Sequence, residues 1–201
     1  VCAAELARAR EDASIAQLAL DYADFLEAHL EPWTVTSRGS LLAGVPRHYI
    51  RISSTEDPDT ATLHINNLAP GQPSEFPARD IVDAGFLELV RYGVRRGGDP
   101  LIEASLAVVD AQLKVTTPFG PCWHRYNHDG YGQQQDGGPF TEHGVGRVWP
   151  LLTGERGHCE LAAGRSTEAY IRAMENLAST TGLLPEQSWD EDDRPDIYMW
   201  R

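Results

Sequence analysis

Along much of this chain apolar residues recur every three or four positions, the spacing that gathers them on one face of a helix. Residues 2–12 are Ala-rich and helical by propensity. Ser14 with Gln17 reads as a capping box, and behind it Ile15, Leu18, Tyr22, Phe25 and His29 keep helical spacing up to Pro32, the expected stop. There the pattern breaks. Over residues 33–76, short β-prone runs (47–52, 62–65) lie between Pro, Gly, Asn and Asp clusters, which predicts an excursion around 45–66 with a hairpin or two rather than a separate domain. Helical spacing resumes near Arg79 and runs through Phe86, Leu87, Leu89, Val90 and Val94 to Gly97 and Gly98. Asp99 before Pro100 is an N-cap followed by proline at the first helical position, and the helix it opens puts Ile102, Leu106, Val109 and Leu113 on one face. Residues 116–146 are polar and glycine-rich and predict a loop. Val148, Leu151, Leu152, Cys159 and Ala162 mark a further helix ending near Gly164; Ala169, Tyr170, Ala173, Met174, Leu177 and Ala178 mark a last one ending at Gly182. Six helices in three hairpins, with long loops on one side, predict an all-α hairpin array or toroid. No repeat of fixed period is present, which argues against a solenoid.

Composition narrows the chemistry. A chain of 201 residues with 41% apolar content supports one domain with a real core. Thirty acids against seventeen bases give a formal charge of −13, so no basic stripe exists to neutralise phosphates, and nucleic acid or an anionic membrane is a poor partner. Cys2, Cys122 and Cys159 form no CxxC pair and predict neither a disulfide framework nor a zinc knuckle. No apolar run approaches the roughly 18 residues of a membrane span, and no signal peptide is visible. The chain opens at Val1 within a helical pattern and closes at Trp200-Arg201 without a capping element, so it is expected to be a fragment.

Two segments concentrate functional groups. In the first, residues 182–190, Gly182 can end a helix in the left-handed conformation and Pro185 forbids its resumption. Glu186 is thereby presented on a stiffened backbone beside Gln187 and Trp189. Taken alone, this fits a solvated loop as well as an acid-bearing site. The second, residues 123–132, combines Trp123, His124, Arg125, Tyr126, Asn127, His128, Asp129 and Tyr131 with two glycines. Asp, Asn and Arg can hold pairs of sugar hydroxyls while Trp and Tyr stack on C–H faces; the alternative is a surface loop whose rings fold back on the core. Other chemistries are thinner. His124 and His128 stand at i, i+4, a spacing with no meaning for zinc in a loop. Asp190, Glu191, Asp192, Asp193 and Asp196 lack the spacing of a calcium loop. Neither a G-x-S-x-G elbow nor a P-loop occurs, and Glu155 and Glu160 read as rungs of a charge ladder within a helix.

The stretch from Trp123 through Gly164, the 182–190 loop, and the earlier segments 21–35, 47–52 and 83–95 together resemble glycoside hydrolase family 15, in its bacterial glucoamylase and glucodextranase form. Cys159, where a Tyr is usual, and Gln133, where an acid is common, depart from the pattern. The resemblance implies that residues 1–201 are part of an (α/α)6 catalytic toroid lacking both ends. It implies an inverting, exo-acting hydrolase that releases β-glucose from the non-reducing ends of α-glucans. Such chemistry needs an acid to protonate the leaving oxygen and a base to activate water on the opposite face. Glu186 matches the family's base. The acid is expected in a Trp-Glu-Glu-type segment ahead of an Ala-rich helix like residues 1–10, upstream of Val1; otherwise it falls to Glu142, Glu155 or Glu160. Arg125 and Tyr126 match positions that hold glucose, and Asp129 and Trp123 are further candidates. No cofactor takes part, structural calcium stays open, and a secreted or periplasmic location is implied. A trehalase of the same family, or a non-catalytic carbohydrate-binding toroid, is the alternative.

Overall fold

A computed structural model of the chain describes residues 1–191, and helices dominate it. The helices are α1 (Cys2–Ala9), α2 (Ala13–Thr34), α3 (Leu87–Arg91), α4 (Pro100–Leu113), α5 (Pro150–Ala162) and α6 (Glu168–Leu177). Short strands fill the long connections: β1 (Val35–Thr36) pairs with β2 (His48–Tyr49), and β3 (Thr62–His64) with β4 (Glu75–Pro77). A further sheet has the order β5 (Lys114–Thr117), β6 (Gly120–His124), β7 (Val148–Trp149), antiparallel throughout.

The hairpin α1–α2 and the hairpin α5–α6 form as the sequence predicts, but several boundaries move. Asp12, not Ser14, caps α2: its carboxylate accepts from the Ile15 amide at 3.1 Å and from the Ser14 hydroxyl at 3.0 Å, while Gln17 turns to Asp21. Nor does Pro32 stop the helix, which runs one further half-turn to Thr34 before entering β1. The helix expected from Arg79 shrinks to α3, preceded by one 3-10 turn at Ala78–Asp80. Asn127 is the reason. Its side chain accepts from the Val82 amide and donates to the Asp80 carbonyl, which holds that backbone extended, and Asp83 bridges to Tyr126. At the other end of the chain, α6 stops at Leu177, and Gly182 closes a separate turn with φ +80°. The predicted 116–146 loop also begins too early: Trp123 and His124 lie on β6.

The main core is built on α4, which buries Leu101, Ile102, Leu106, Val108, Val109 and Leu113 around more than one face. A helix buried on several sides is interior, and each fully buried Leu, Ile or Val contributes about 1.5–3 kcal/mol by removal from water. Ser105 interrupts the apolar run for a reason: its hydroxyl donates to the Leu101 carbonyl and accepts from the Tyr49 amide, tying α4 to β2. Helix α5 is tied to β6 by the Thr153 hydroxyl donating to the Pro121 carbonyl. A smaller cluster of Ile50, Ala61, Leu63, Ile65, Ala78 and Ile81 underlies the excursion and packs against Tyr126. These two cores hold the end of β6, and hence Arg125, between them.

Candidate active site

Arg125 directly follows β6, and three rings and one carboxylate surround its guanidinium. Asp129 accepts from Nε and Nη2, both at 2.9 Å, a two-bond clamp that fixes the guanidinium plane. The charged carbon lies 4.8 Å from the ring centroid of Tyr126, 5.2 Å from Tyr131 and 5.0 Å from Trp149. Cations over such faces are attracted by the ring quadrupole. Burial works against the charge, and the hydrogen bonds and charge of Asp129 outweigh it, so the guanidinium is held more firmly charged than usual. About a third of the side chain stays open to solvent, enough to meet a ligand.

The four residues expected to hold sugar take different places. Tyr126 is buried, a second guanidinium, that of Arg51, lies 4.1 Å from its ring centroid, and Arg51 is itself paired with Asp83 at 2.9 Å. Burial, then the charge of Asp129, raises its hydroxyl above the ordinary tyrosine value. Asp129 is buried and its carboxylate is consumed by Arg125 and by the Tyr131 amide, so it orients Arg125 instead of presenting itself. Trp123 corrects the expectation outright. It is 1% exposed in the main core, donates its indole N–H to Asp110 at 3.0 Å and stacks near Tyr170. The inward face of β6 takes it away from any surface a sugar can reach. Tyr131 and Trp149 are the rings that do flank Arg125. Nothing local in the sequence distinguishes Trp149, because its approach depends on the pairing of Trp123 with Trp149 across β6 and β7.

Glu186 is exposed on the loop after α6. Its neighbours tie that loop to the Arg125 side: Gln187 donates to the Tyr131 carbonyl at 3.2 Å, and the Ser188 amide to the Val148 carbonyl at 2.9 Å. Gly132 permits the approach. Its φ of +155° and the space a Cβ would need, already occupied by the Val145 carbonyl and the Gln187 amide, both require glycine there. The two segments singled out from sequence therefore meet at Tyr131.

Metal readings do not gather support. His124 binds the Gly146 carbonyl and Asp190, while His128 stacks on Phe76 at 4.2 Å, so the two imidazoles serve different partners. Among the described residues no group of three His, Cys, Asp or Glu side chains is placed to hold a metal ion. Asp190 and Glu191 pair with Arg147, and Asp192, Asp193 and Asp196 lie outside the described residues. Of the other carboxylates weighed as an acid, Glu160 is locked between Arg156 and Arg165, and Glu142 is exposed on a loop at φ +69°. Glu155 is half-buried in a groove of about 400 Å³ between α5 and α6, where burial and then the charge of Glu88 raise its carboxyl above the ordinary range.

The helical hairpins and the short sheets that carry their loops define a domain of the α-hairpin class. Residues 1–196 match the glycosyl hydrolases family 15, and the chain belongs to that family. It is 43% identical over 195 residues to a glucoamylase of Clostridium sp. (strain G0005), covering 96% of this chain and 27% of that protein. It superimposes on the crystal structure of a bacterial glucoamylase complexed with acarbose with a TM-score of 0.87 at 43% identity, over 94% of this chain and 27% of that one. The chain thus spans about a quarter of the length of these relatives, and its helices are part of the same (α/α)6 fold.

Proposed function

We propose that this chain supplies the base side of an inverting, exo-acting α-glucan hydrolase, with Glu186 activating water and Arg125 holding the glucosyl unit under attack. The observation that carries the reading is the meeting of the two loops at Tyr131: one ring lies against Arg125, and its backbone carbonyl receives Gln187, the residue after Glu186. A carboxylate on an open loop can accept a proton from water, and a fixed, flat guanidinium can hold a pair of hydroxyls. Tyr131 and Trp149 offer faces for the sugar ring. Family membership, a glucoamylase relative and a relative holding acarbose support an α-glucan as substrate, with starch, maltooligosaccharides and dextran the substrates to compare.

The test is Glu186→Gln in the full polypeptide that carries these residues. The amide keeps size and hydrogen bonding but accepts no proton, so kcat is expected to fall by about 10²–10⁴-fold while KM stays within a few-fold. Azide supplied as an external nucleophile should restore part of the turnover. Near-normal kcat in this variant would remove Glu186 from the reaction.

A further inference from the structure

Immediately beyond Glu186 the loop is fastened at every residue. Gln187 and Ser188 hold backbone carbonyls on the Arg125 side. The Arg147 guanidinium lies 4.0 Å from the Trp189 ring centroid. Asp190 is almost completely buried, with one carboxylate oxygen 3.1 Å from His124 Nε2 and the other 3.2 Å from Arg147 Nη1. Glu191 meets Arg147 at 2.8 Å and also receives the Gln135 amide. Arg147 is itself buried, and its Nη2 donates to the Gln134 carbonyl, so one side chain joins the glycine-rich loop to the Glu186 loop.

His124 is the other jaw. Its Nδ1 lies 2.9 Å from the Gly146 carbonyl, an atom that only accepts, so Nδ1 carries a proton. Its Nε2 faces a carboxylate oxygen, which also only accepts when ionised. Both hydrogen bonds form together when the ring is protonated on both nitrogens. Burial raises the Asp190 carboxyl, and the hydrogen bond and charge of His124, with those of Arg147, more than offset it, so Asp190 is the ionised partner. The other groups around this imidazole are Tyr126, His128 and Asp129 of the loop and Gln112 of α4, which line one cavity with it.

His124 is the residue before Arg125, and Asp190 lies four residues after Glu186. We propose that Asp190, clamped between His124 and Arg147, is a positioning residue for Glu186, setting the loop that carries the carboxylate at a fixed distance from the strand end that carries Arg125. The proposal rests on the reading of Glu186 as the base. It adds that the base is placed through a buried ion pair on its C-terminal side, since Glu186 itself stands exposed.

The test compares variants of the full polypeptide by kinetics and by nitrogen NMR of the imidazoles. In the unsubstituted enzyme the proton between His124 Nε2 and Asp190 should be protected from exchange. In Asp190→Asn that protection should vanish and kcat should fall about ten- to a hundredfold, because a small displacement of a reacting group is enough for such a loss. KM should stay within about threefold, since Arg125 and its rings are untouched. Should Asp190→Asn fail to fold, His124→Gln and His124→Phe replace it. The amide can still donate to Asp190 and should retain about tenfold more kcat than the phenyl ring, which cannot. A folded Asp190→Asn enzyme with full kcat, an unprotected proton between His124 and Asp190 in the unsubstituted enzyme, or equal activity of the Gln and Phe variants would each overturn the proposal. A failure of the base reading looks different, because Glu186→Gln would then keep its turnover.

Discussion

At the scale of single residues, the candidate site separates side chains that stay open to solvent from those that serve their neighbours. Arg125 is partly open, while Asp129, at 1% side-chain exposure, exists to fix it. Arg125→Lys replaces a planar, two-bond partner of Asp129 with a point charge and loses the flat face that lies over Tyr126, Tyr131 and Trp149. KM for maltooligosaccharides is expected to rise roughly tenfold or more, the worth of one charged hydrogen bond, in steady-state assays; an unchanged KM would separate Arg125 from the sugar. Arg125, Tyr126 and Glu186 entered the candidate site through a resemblance and not through any local pattern. Trp123 was misjudged, since nothing local says which face of a strand points inward when the strand itself is read as a loop. A second residue-scale prediction concerns His48. The ring is completely buried, flat against Gly39, with Nδ1 on the Val45 carbonyl and Nε2 without a partner. Burial lowers its proton affinity, and the nearby carbonyls and Asp80 only partly offset that. The folded state therefore binds fewer protons than the unfolded one just below the ordinary histidine pKa of about 6.5. Stability from this site is complete above that value and is lost as pH falls through it toward the lower folded value. The drop in Tm between pH 8 and pH 5 is expected to be smaller in His48→Phe, and a drop of equal size would show that His48 contributes nothing to it.

At the scale of elements, the helices were legible because their cores repeat at a fixed spacing, as in Ile102, Leu106, Val109 and Leu113 of α4. Their ends were not, because distant side chains set them. Asn127 reaches back 45 residues to the Val82 amide and keeps Ile81 and Val82 out of a helix. The sheet of β5, β6 and β7 was equally hidden, for two-residue β7 gains its meaning only from its pairing of Val148 with His124 and Trp149 with Trp123 on a distant strand. Between α4 and α5 lies a charge network that the sequence showed only as a ladder. Arg156 pairs with Glu160 one turn on, but also with Asp110 of α4 at 3.4 Å, and Arg165 binds both Glu160 and Glu103. Asp110 also receives the Trp123 indole, so the network anchors β6 as well. Arg156→Ala would leave two largely buried carboxylates with less compensation and is expected to cost about 3 kcal/mol in urea unfolding. Arg156→Met combined with Glu160→Met removes both charges and fills the space, and it should recover a substantial part of that loss. If the double variant is no more stable than Arg156→Ala, the cost lies in lost packing and not in stranded charge.

At the scale of the whole molecule, the described surface carries apolar rows that a free-standing domain of this size would bury. Ile15, Leu18, Tyr22, Phe25 and Leu26 are exposed along α2, with Leu6 on α1. On the opposite hairpin Leu151 and Leu161 of α5 and Ile171 of α6 are exposed as well, and Leu151, Leu161, Ile171 and Met174 line the groove of about 400 Å³ beside them. Scattered apolar residues need no explanation, but contiguous rows on two hairpins mark surfaces meant for contact. The chain matches its relatives over 27% of their length, and packing against other helices would take such rows out of water. The inverting reaction proposed above requires a second carboxyl across the sugar from Glu186, and of the carboxylates weighed for it Glu160 is locked between Arg156 and Arg165 while Glu155 lies in the groove between α5 and α6. Residues 1–201 produced alone are accordingly expected to bind ANS more strongly than a polypeptide of the relatives' length that contains them, and to associate as concentration rises. They should release no measurable glucose from maltose, starch or dextran, since loss of a general acid removes about 10²–10⁴-fold in rate. Dye fluorescence, light scattering and a glucose assay on the purified chain check all three expectations. Weak dye binding would show that α1, α2, α5 and α6 cover one another without help. Sustained hydrolysis, with contaminating glucosidase excluded, would place the acid inside the chain, and the half-buried Glu155, whose carboxyl is already raised, would be the first to replace by Gln.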